Sequence, residues 1–229
     1  MTKKVVVLSL GGSLIIPNDI DTNYLKNFKK VILKNKNEYK FIIVCGGGSI
    51  ARKYIGAIRD SGGSEKLQSL SGISATRMNA RFMSYFFGLD QKEGIPHSID
   101  AVKKALKTKD IIFCGALEYH PKETSDSTSA GIASKFKSIF INLTDVVGLY
   151  DKNPKEHKDA KFISEISWRE FDKIASKMAY KPGQHFVLDQ SASKIIMQNK
   201  ITTYIIGKNL KELDNLLNEK KFRGTTISG

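Results

Sequence analysis

Short apolar runs rich in β-branched and aromatic side chains recur along the chain at Val5–Leu10, Phe41–Cys45, Ile111–Cys114, Ile139–Leu143 and Thr202–Ile206. Each is too short for a buried helix and ends at a turn signal, in most cases glycine, so each reads as a buried strand. Between them, apolar positions return at helical spacing over residues 21–37, 49–60, 68–88, 99–107, 126–136 and 189–199. Another helix opens within Ser164–Ala175, where Ser167 ahead of Glu170 has the spacing of a capping box. Arg223–Ile227 reads as a short closing strand. Strands alternating with helices predict an α/β fold: a mainly parallel central sheet sandwiched between helices in three layers. The polar, turn-rich stretch Asp151–Lys161 reads as a long loop or lid, and Lys181-Pro182-Gly183-Gln184 as a second loop.

In such sheets ligands bind beyond the carboxyl ends of the strands. The first predicted strand runs straight into Gly11-Gly12-Ser13, and the second into Gly46-Gly47-Gly48-Ser49, which opens a helix. Glycines let the backbone turn sharply and bring N–H groups up to a ligand without obstruction by a Cβ. The free N–H groups and positive dipole end of a helix favour a phosphate, and Arg52 in the first turn adds a guanidinium. A tight turn that merely needs glycine is the alternative for each loop. Neither loop is a Walker A sequence or a dinucleotide fingerprint. Thr124-Ser125-Asp126 precedes a small-residue helix: Asp126 is either its N-cap, or a group that orients a lysine or binds a metal ion. Thr144-Asp145 and the Tyr150–Pro154 segment follow the fourth strand and suit a second ligand. Lys194 is either a solvated helix lysine or a charge aimed at a transferring phosphoryl group.

Composition alters this picture little. The chain has 229 residues, 41% hydrophobic and 26% charged, which suits one α/β domain. No apolar run approaches the ~20 residues needed to cross a bilayer. Val5–Leu8 after Lys3-Lys4 starts like a signal peptide but breaks at Ser9 and leads into a glycine loop, so a cytoplasmic protein is expected. The two cysteines, Cys45 and Cys114, have no metal-ligand spacing and read as buried free thiols, and the four histidines are scattered. The net charge of +14 comes from 37 Lys and Arg against 23 acidic residues, but the lysines are dispersed, with no aromatic-interleaved basic cluster. Nucleic-acid binding is therefore not expected, while a positive field would help recruit phosphorylated small molecules.

Taken in order, these motifs resemble the amino acid kinase superfamily and, within it, the archaeal-type uridylate (UMP) kinases. The resemblance covers nearly the whole chain. It runs from Leu10-Gly11-Gly12-Ser13 through Gly46–Tyr54, Gly72-Ile73-x-x-Thr76-Arg77-x-Asn79-Ala80 and Thr124-Ser125-Asp126. It continues through Gly148-x-Tyr150-x-x-Asn153-Pro154 and Asp189–Ile196 to Gly224-Thr225-Thr226-Ile227. The Thr76-Arg77-x-Asn79-Ala80 segment points most specifically to the uridylate branch.

What the resemblance implies is transfer of the γ-phosphoryl group of ATP to UMP with Mg2+. The domain would have an acceptor-binding N-terminal lobe over 1–140 and an ATP-binding C-terminal lobe over 141–229. It places Ser9, Leu10, Gly11, Gly12, Ser13, Gly47, Gly48 and Arg52 at the ATP phosphates. Thr144, Asp145, Tyr150 and Asn153 would frame the adenine nucleotide. Gly46 and Gly47 would lie at the boundary with UMP, which Ser69, His120, Pro121, Thr124 and Ser125 would contact. Lys194 and Asp126 would form a catalytic charge pair, and a homo-oligomer, a hexamer, is implied. The chain departs from the family pattern at four places: Ser9 for a lysine, Ser69 for a ribose-binding aspartate, Pro121-Lys122 for Pro-Gly, and Asp145-Val146-Val147-Gly148 for Asn-x-Asp-Gly. Two departures fall on the acceptor side. An isopentenyl phosphate, carbamate or acyl kinase, or a non-catalytic nucleotide-binding regulatory relative, therefore remains an alternative.

Overall fold

The structure, a computed structural model, describes residues 3–89, 94–121, 124–152, 157–177 and 188–229. Its centre is β1 (Lys4–Leu10), whose alternating side chains serve both faces of the sheet. Val6, Leu8 and Leu10 enter one core and Val7 the other. β2 (Tyr39–Cys45) does the same, with Phe41, Ile43 and Cys45 on the first side and Ile42 and Val44 on the second. Strands buried on both faces read as continuous apolar runs, which is why the sequence pattern showed them so clearly.

β1 pairs in parallel with β2 on one side and β4 (Ile139–Leu143) on the other, and β2 pairs with β3 (Ile111–Cys114). β4 then pairs in parallel with β8 (Thr203–Ile206). The seven-stranded order is β3-β2-β1-β4-β8-β9-β7, so the order reverses about β1. The closing strand β9 (Thr225–Ile227) runs antiparallel to β8 and parallel to the short β7 (Glu165–Ile166). A two-stranded ladder of β5 (Leu149–Tyr150) and β6 (Phe162–Ile163) draws together the two ends of the predicted loop at Asp151–Lys161. Lys161 N–H donates to the Asp151 carboxylate at 2.8 Å.

Helices cover both faces. The single turn α1 (Gly12–Ile15), α2 (Thr22–Asn35) and the long α4 (Glu65–Phe86) contribute Leu14, Leu25, Phe28, Ile32 and Met83 to the first core. α3 (Gly48–Asp60) packs on α4 through Ala51, Ile55 and Ala75. α5 (Ile99–Leu106), α6 (Ser125–Phe136), α7 (Trp168–Ala175) and α8 (Gln190–Gln198) supply Val102, Ala130, Ile132, Phe171, Ala192 and Ile196 to the second. The predicted capping box holds: Ser167 Oγ accepts from Glu170 N–H at 3.2 Å and Glu170 accepts from Ser167 N–H at 3.3 Å.

Three differences from the sequence reading have local causes. α4 starts at Glu65 because Ser64 caps it, its hydroxyl accepting from Leu67 N–H. α9 (Leu210–Leu217), which no predicted element covers, is capped by Asn209 and buries Leu213 and Leu217. The N-cap of α6 is Thr124, whose Oγ1 accepts from Asp126 N–H at 3.1 Å, so the Asp126 carboxyl does not cap its own helix. Cys45 and Cys114 are free and buried as expected, and they project into opposite cores. No described helix is long and apolar enough to cross a membrane.

Candidate active site

The strand order reverses about β1, and open α/β sheets bind ligands in the crevice that such a reversal leaves at the carboxyl ends of the strands. Both glycine loops meet there, backbone against backbone. A Cβ on Gly12 would lie 2.0 Å from Gly48 N, and one on Gly46 would lie 2.5 Å from Gly12 N. Gly48 has φ +62, and a Cβ there would stand 2.6 Å from Gly12 O. No side chain fits at these three positions, so the two loops form one backbone junction rather than two separate turns. Gly12 and Gly48 are also the first residues of α1 and α3, whose leading N–H groups have no partners within their own helices. That arrangement suits a chain of phosphates lying across the junction.

The loops after β1 and β4 are aligned by the sheet. Gly11 N–H donates to Leu143 O at 2.9 Å, and Thr144 N–H to Ile206 O at 3.0 Å. A Cβ on Gly207 would lie 2.9 Å from Val147 Cα, so the turn after Thr144 and exposed Asp145 packs over the end of β8. Half-buried Tyr150 meets the Phe162 ring edge-on, centroids 5.5 Å apart, and Thr225 Oγ1 accepts from Leu149 N–H at 2.8 Å. Half-buried Arg52 donates to Pro17 O at 3.1 Å, which ties α3 to the segment after α1. Asn153 lies outside the described residues, as do Pro154, Lys122 and the loop at 181–184.

On the other side, the Thr76-Arg77-x-Asn79 motif of α4 braces both neighbouring loops. Asn79 Nδ2 donates to Gly46 O at 2.7 Å, fixing the second glycine loop from behind. Ala116 N–H donates to Thr76 Oγ1 at 3.0 Å, and Arg77 Nε donates to Ala116 O at 3.1 Å. Arg77 also donates to Leu117 O, so the segment after β3 is held on α4 by both of these carbonyls. Lys66 lies 5.9 Å from the Tyr119 ring centroid, farther along the same contact. His120 and Pro121 are exposed, His120 sitting 4.0 Å from the Glu118 carboxylate, and Ser69 is half-buried one turn before Gly72 on α4. The sequence marks the Thr76-Arg77-x-Asn79 segment only as a family signature. Its work as a brace involves backbone partners that no spacing rule could single out.

Ser9, fully buried at the end of β1, donates to Asp126 Oδ1 at 2.9 Å. Burial, followed by the nearby Asp189 carboxylate, pushes the Asp126 carboxyl up to about 7, against the opposing pull of the Ser9 hydrogen bond. The expected Lys194–Asp126 charge pair is not formed. Lys194 is exposed and lies on the side of α8 opposite buried Ala192, Ser193 and Ile196, so the charge beside Asp126 is another carboxylate. Asp189 is the residue the sequence reading missed as a site element. It accepts from Thr124 Oγ1, from Ser127 Oγ at 3.0 Å and from Ala192 N–H at 2.8 Å. Ser125 starts α6 half-buried beside them.

Gly12→Ala should lower kcat/KM by about 100-fold or more, because the loops must separate. Gly131→Ala on α6, where nothing lies within 4 Å of the added methyl, should leave activity unchanged and add about 0.5–1 kcal/mol of stability. Equal activity in the two variants would contradict this geometry. As for pH, the native Asp126 carboxyl keeps its proton up to about 7, whereas the unfolded chain loses it in the ordinary carboxylate range. Its contribution to stability therefore falls as pH rises through that window. Asp126→Asn should raise the melting temperature more at pH 8 than at pH 5, and an equal shift at both would count against the raised carboxyl.

A family model described as the amino acid kinase family matches residues 4–207. The uridylate kinase of Thermoplasma volcanium is 32% identical over 224 residues, 97% of this chain and 96% of its own. That of Thermococcus kodakarensis is 31% identical over 207 residues, 89% of this chain and 90% of its own. The crystal structure of the Archaeoglobus fulgidus uridylate kinase superposes with a TM-score of 0.83 at 31% identity, covering 97% of this chain and 99% of that one. With the parallel sheet, the paired glycine loops and the bracing motif all in place, the chain belongs to the amino acid kinase family.

Proposed function

We propose that this protein transfers the γ-phosphoryl group of ATP to UMP, giving ADP and UDP. The observation that carries the reading is the contact between the two glycine loops, which joins a donor-side and an acceptor-side loop set at one point of the crevice. The relatives named uridylate kinase support UMP as the acceptor, and their likeness extends along nearly the whole chain. In the reaction an oxygen of the UMP phosphate forms a bond to the γ-phosphorus. The bond from that phosphorus to the β–γ bridging oxygen breaks, and ADP leaves with its electron pair.

Ser9, Leu10, Gly11, Gly12, Ser13, Gly47, Gly48 and Arg52 would hold the donor phosphates, and Thr144, Asp145, Tyr150 and Asn153 the rest of ATP. Gly46 and Gly47, with Ser69, His120, Pro121, Thr124 and Ser125, would receive UMP. The acceptor lobe would span about 1–140 and the donor lobe about 141–229. Backbone N–H groups fixed before the substrates arrive stabilise charge on the transferring group, so catalysis is positioning and electrostatics. Among the described residues no group of three or more His, Cys, Asp or Glu side chains is gathered to hold a metal. Mg2+ would therefore enter on the nucleotide's own phosphates, where it neutralises charge.

We also infer a homo-oligomer, a hexamer being the assembly the family resemblance implies. In support, α4 exposes Leu67, Leu70, Met78 and Tyr85 along one face, with Tyr54 of α3 also exposed. Spaced at 3, 8 and 7 residues, the α4 side chains form a stripe about 27 Å long. Apolar stripes of this kind mark contact surfaces.

An ADP-release assay over UMP, CMP, dUMP, isopentenyl phosphate and carbamate tests the activity. UMP should give the highest kcat/KM, and turnover of isopentenyl phosphate without UMP would overturn the assignment. Met78→Glu should reduce the mass measured by light scattering at micromolar concentration. A wild-type monomer would refute the assembly.

A further inference from the structure

The N-termini of α6 and α8 are locked to each other through one carboxylate. Asp189 caps α8 by accepting from Ala192 N–H at 2.8 Å. The same group takes the hydroxyl protons of Thr124 and of Ser127, the latter at 3.0 Å to each oxygen. Those two hydroxyls then serve as acceptors for the start of α6. Thr124 Oγ1 receives Asp126 N–H at 3.1 Å, and Ser127 Oγ receives Thr124 N–H at 3.2 Å. Each hydroxyl has one proton, and both protons go to Asp189. Only an acceptor at 189 lets both hydroxyls face their backbone donors. An amide of the same shape carries two donors, and turning one toward a hydroxyl would cancel a cap.

We propose that Asp189 is a positioning residue of the transfer site, acting through Thr124 and Ser127 to fix the turn that carries Asp126 against Ser9. The proposal rests on the phosphoryl-transfer reading of the crevice. Through this lock a carboxylate outside the glycine loops holds the acceptor-side hydroxyl of Thr124 and the half-buried acid of α6 in register with the end of β1. α8 is itself tied to α7, since Ser193 Oγ donates to Asp172 Oδ1 at 2.7 Å. The lock thus joins the crevice to the outer helices.

The charged surroundings make Asp126 a local reporter of the lock. Besides Asp189, the titratable groups on the elements packed against α6 are few. Lys4 of β1 is paired with Glu219, Tyr39 of β2 donates to Leu217 O, and Lys40 of β2 donates to Leu106 O. Cys45 is buried at the end of β2, β4 carries none, and Lys194 of α8 is exposed, as is Lys135 on α6 itself.

The test combines kinetics with a 13C carboxyl NMR titration of Asp126 in the full-length protein, comparing wild type, Asp189→Asn, Thr124→Val and the double variant. Each single variant should lower kcat on the order of 10- to 100-fold, and the double variant should be no worse than the poorer single one. Losses that multiply would overturn the proposal, because Asp189 would then act independently of Thr124. In Asp189→Asn the Asp126 midpoint should fall on the order of one unit, as a neighbouring negative charge is removed. An unmoved midpoint would overturn it equally. If Asp189→Asn does not fold, Thr124→Val and Ser127→Ala carry the test with the carboxylate kept, and full kcat in both refutes the lock. Wild-type protein that transfers phosphate to no nucleotide would sink the kinase reading instead, and the NMR titration reads the lock independently of turnover.

Discussion

The approach of the two glycine loops is the constraint on which the rest of this molecule depends. Gly12, Gly46 and Gly48 leave no room for a Cβ because each has the other loop's backbone where the side chain would be. Backbones can approach so closely only if the strands beneath hold them in register. β1 therefore sits at the centre of the sheet with β2 on one side and β4 on the other. The same arrangement puts the starts of α1 and α3 at one spot, and so brings together the N–H groups of Gly12 and Gly48, while that of Ser49 is taken up by Ile16 O. A phosphate chain would offer those two groups acceptors, which is how the proposed function turns a packing constraint into a binding site.

What the sequence discloses follows the range of each interaction. Strands buried on both faces, such as Val5–Leu10 and Phe41–Cys45, announce themselves as unbroken apolar runs. Caps written within three residues, such as Ser167 with Glu170, are equally plain. The glycine loops are legible as sharp turns at strand ends, although their mutual contact spans 36 residues of chain and needs the fold to reveal it. The brace from Asn79 to the Gly46 carbonyl and the lock from Asp189 to Thr124 join side chains to partners 33 and 65 residues away. Neither has a local signature. Lys194 shows the opposite failure: a lysine in a family-like segment suggested a charge pair, but helix phase turned it to solvent.

Around the cradle the protein has arranged polar groups with little tolerance for change. Asp126 is half-buried beside another carboxylate, an arrangement that favours its protonated form and lowers stability at neutral pH. Groups held at such a cost cluster where charge is about to move. Ser9 offers that acid a hydroxyl and not a cation. The net charge of +14 suits the recruitment of anionic substrates.

A crystal structure with a bisubstrate inhibitor joining uridine to adenosine through a chain of phosphates tests the central claim most directly. The account requires phosphate oxygens within hydrogen-bond distance, about 2.9 Å, of the N–H groups of both Gly12 and Gly48. It also requires uridine on the side of Ala116 and Leu117, and adenosine on the side of Thr144 and Tyr150. A phosphate chain bound away from the junction of the two loops would contradict it.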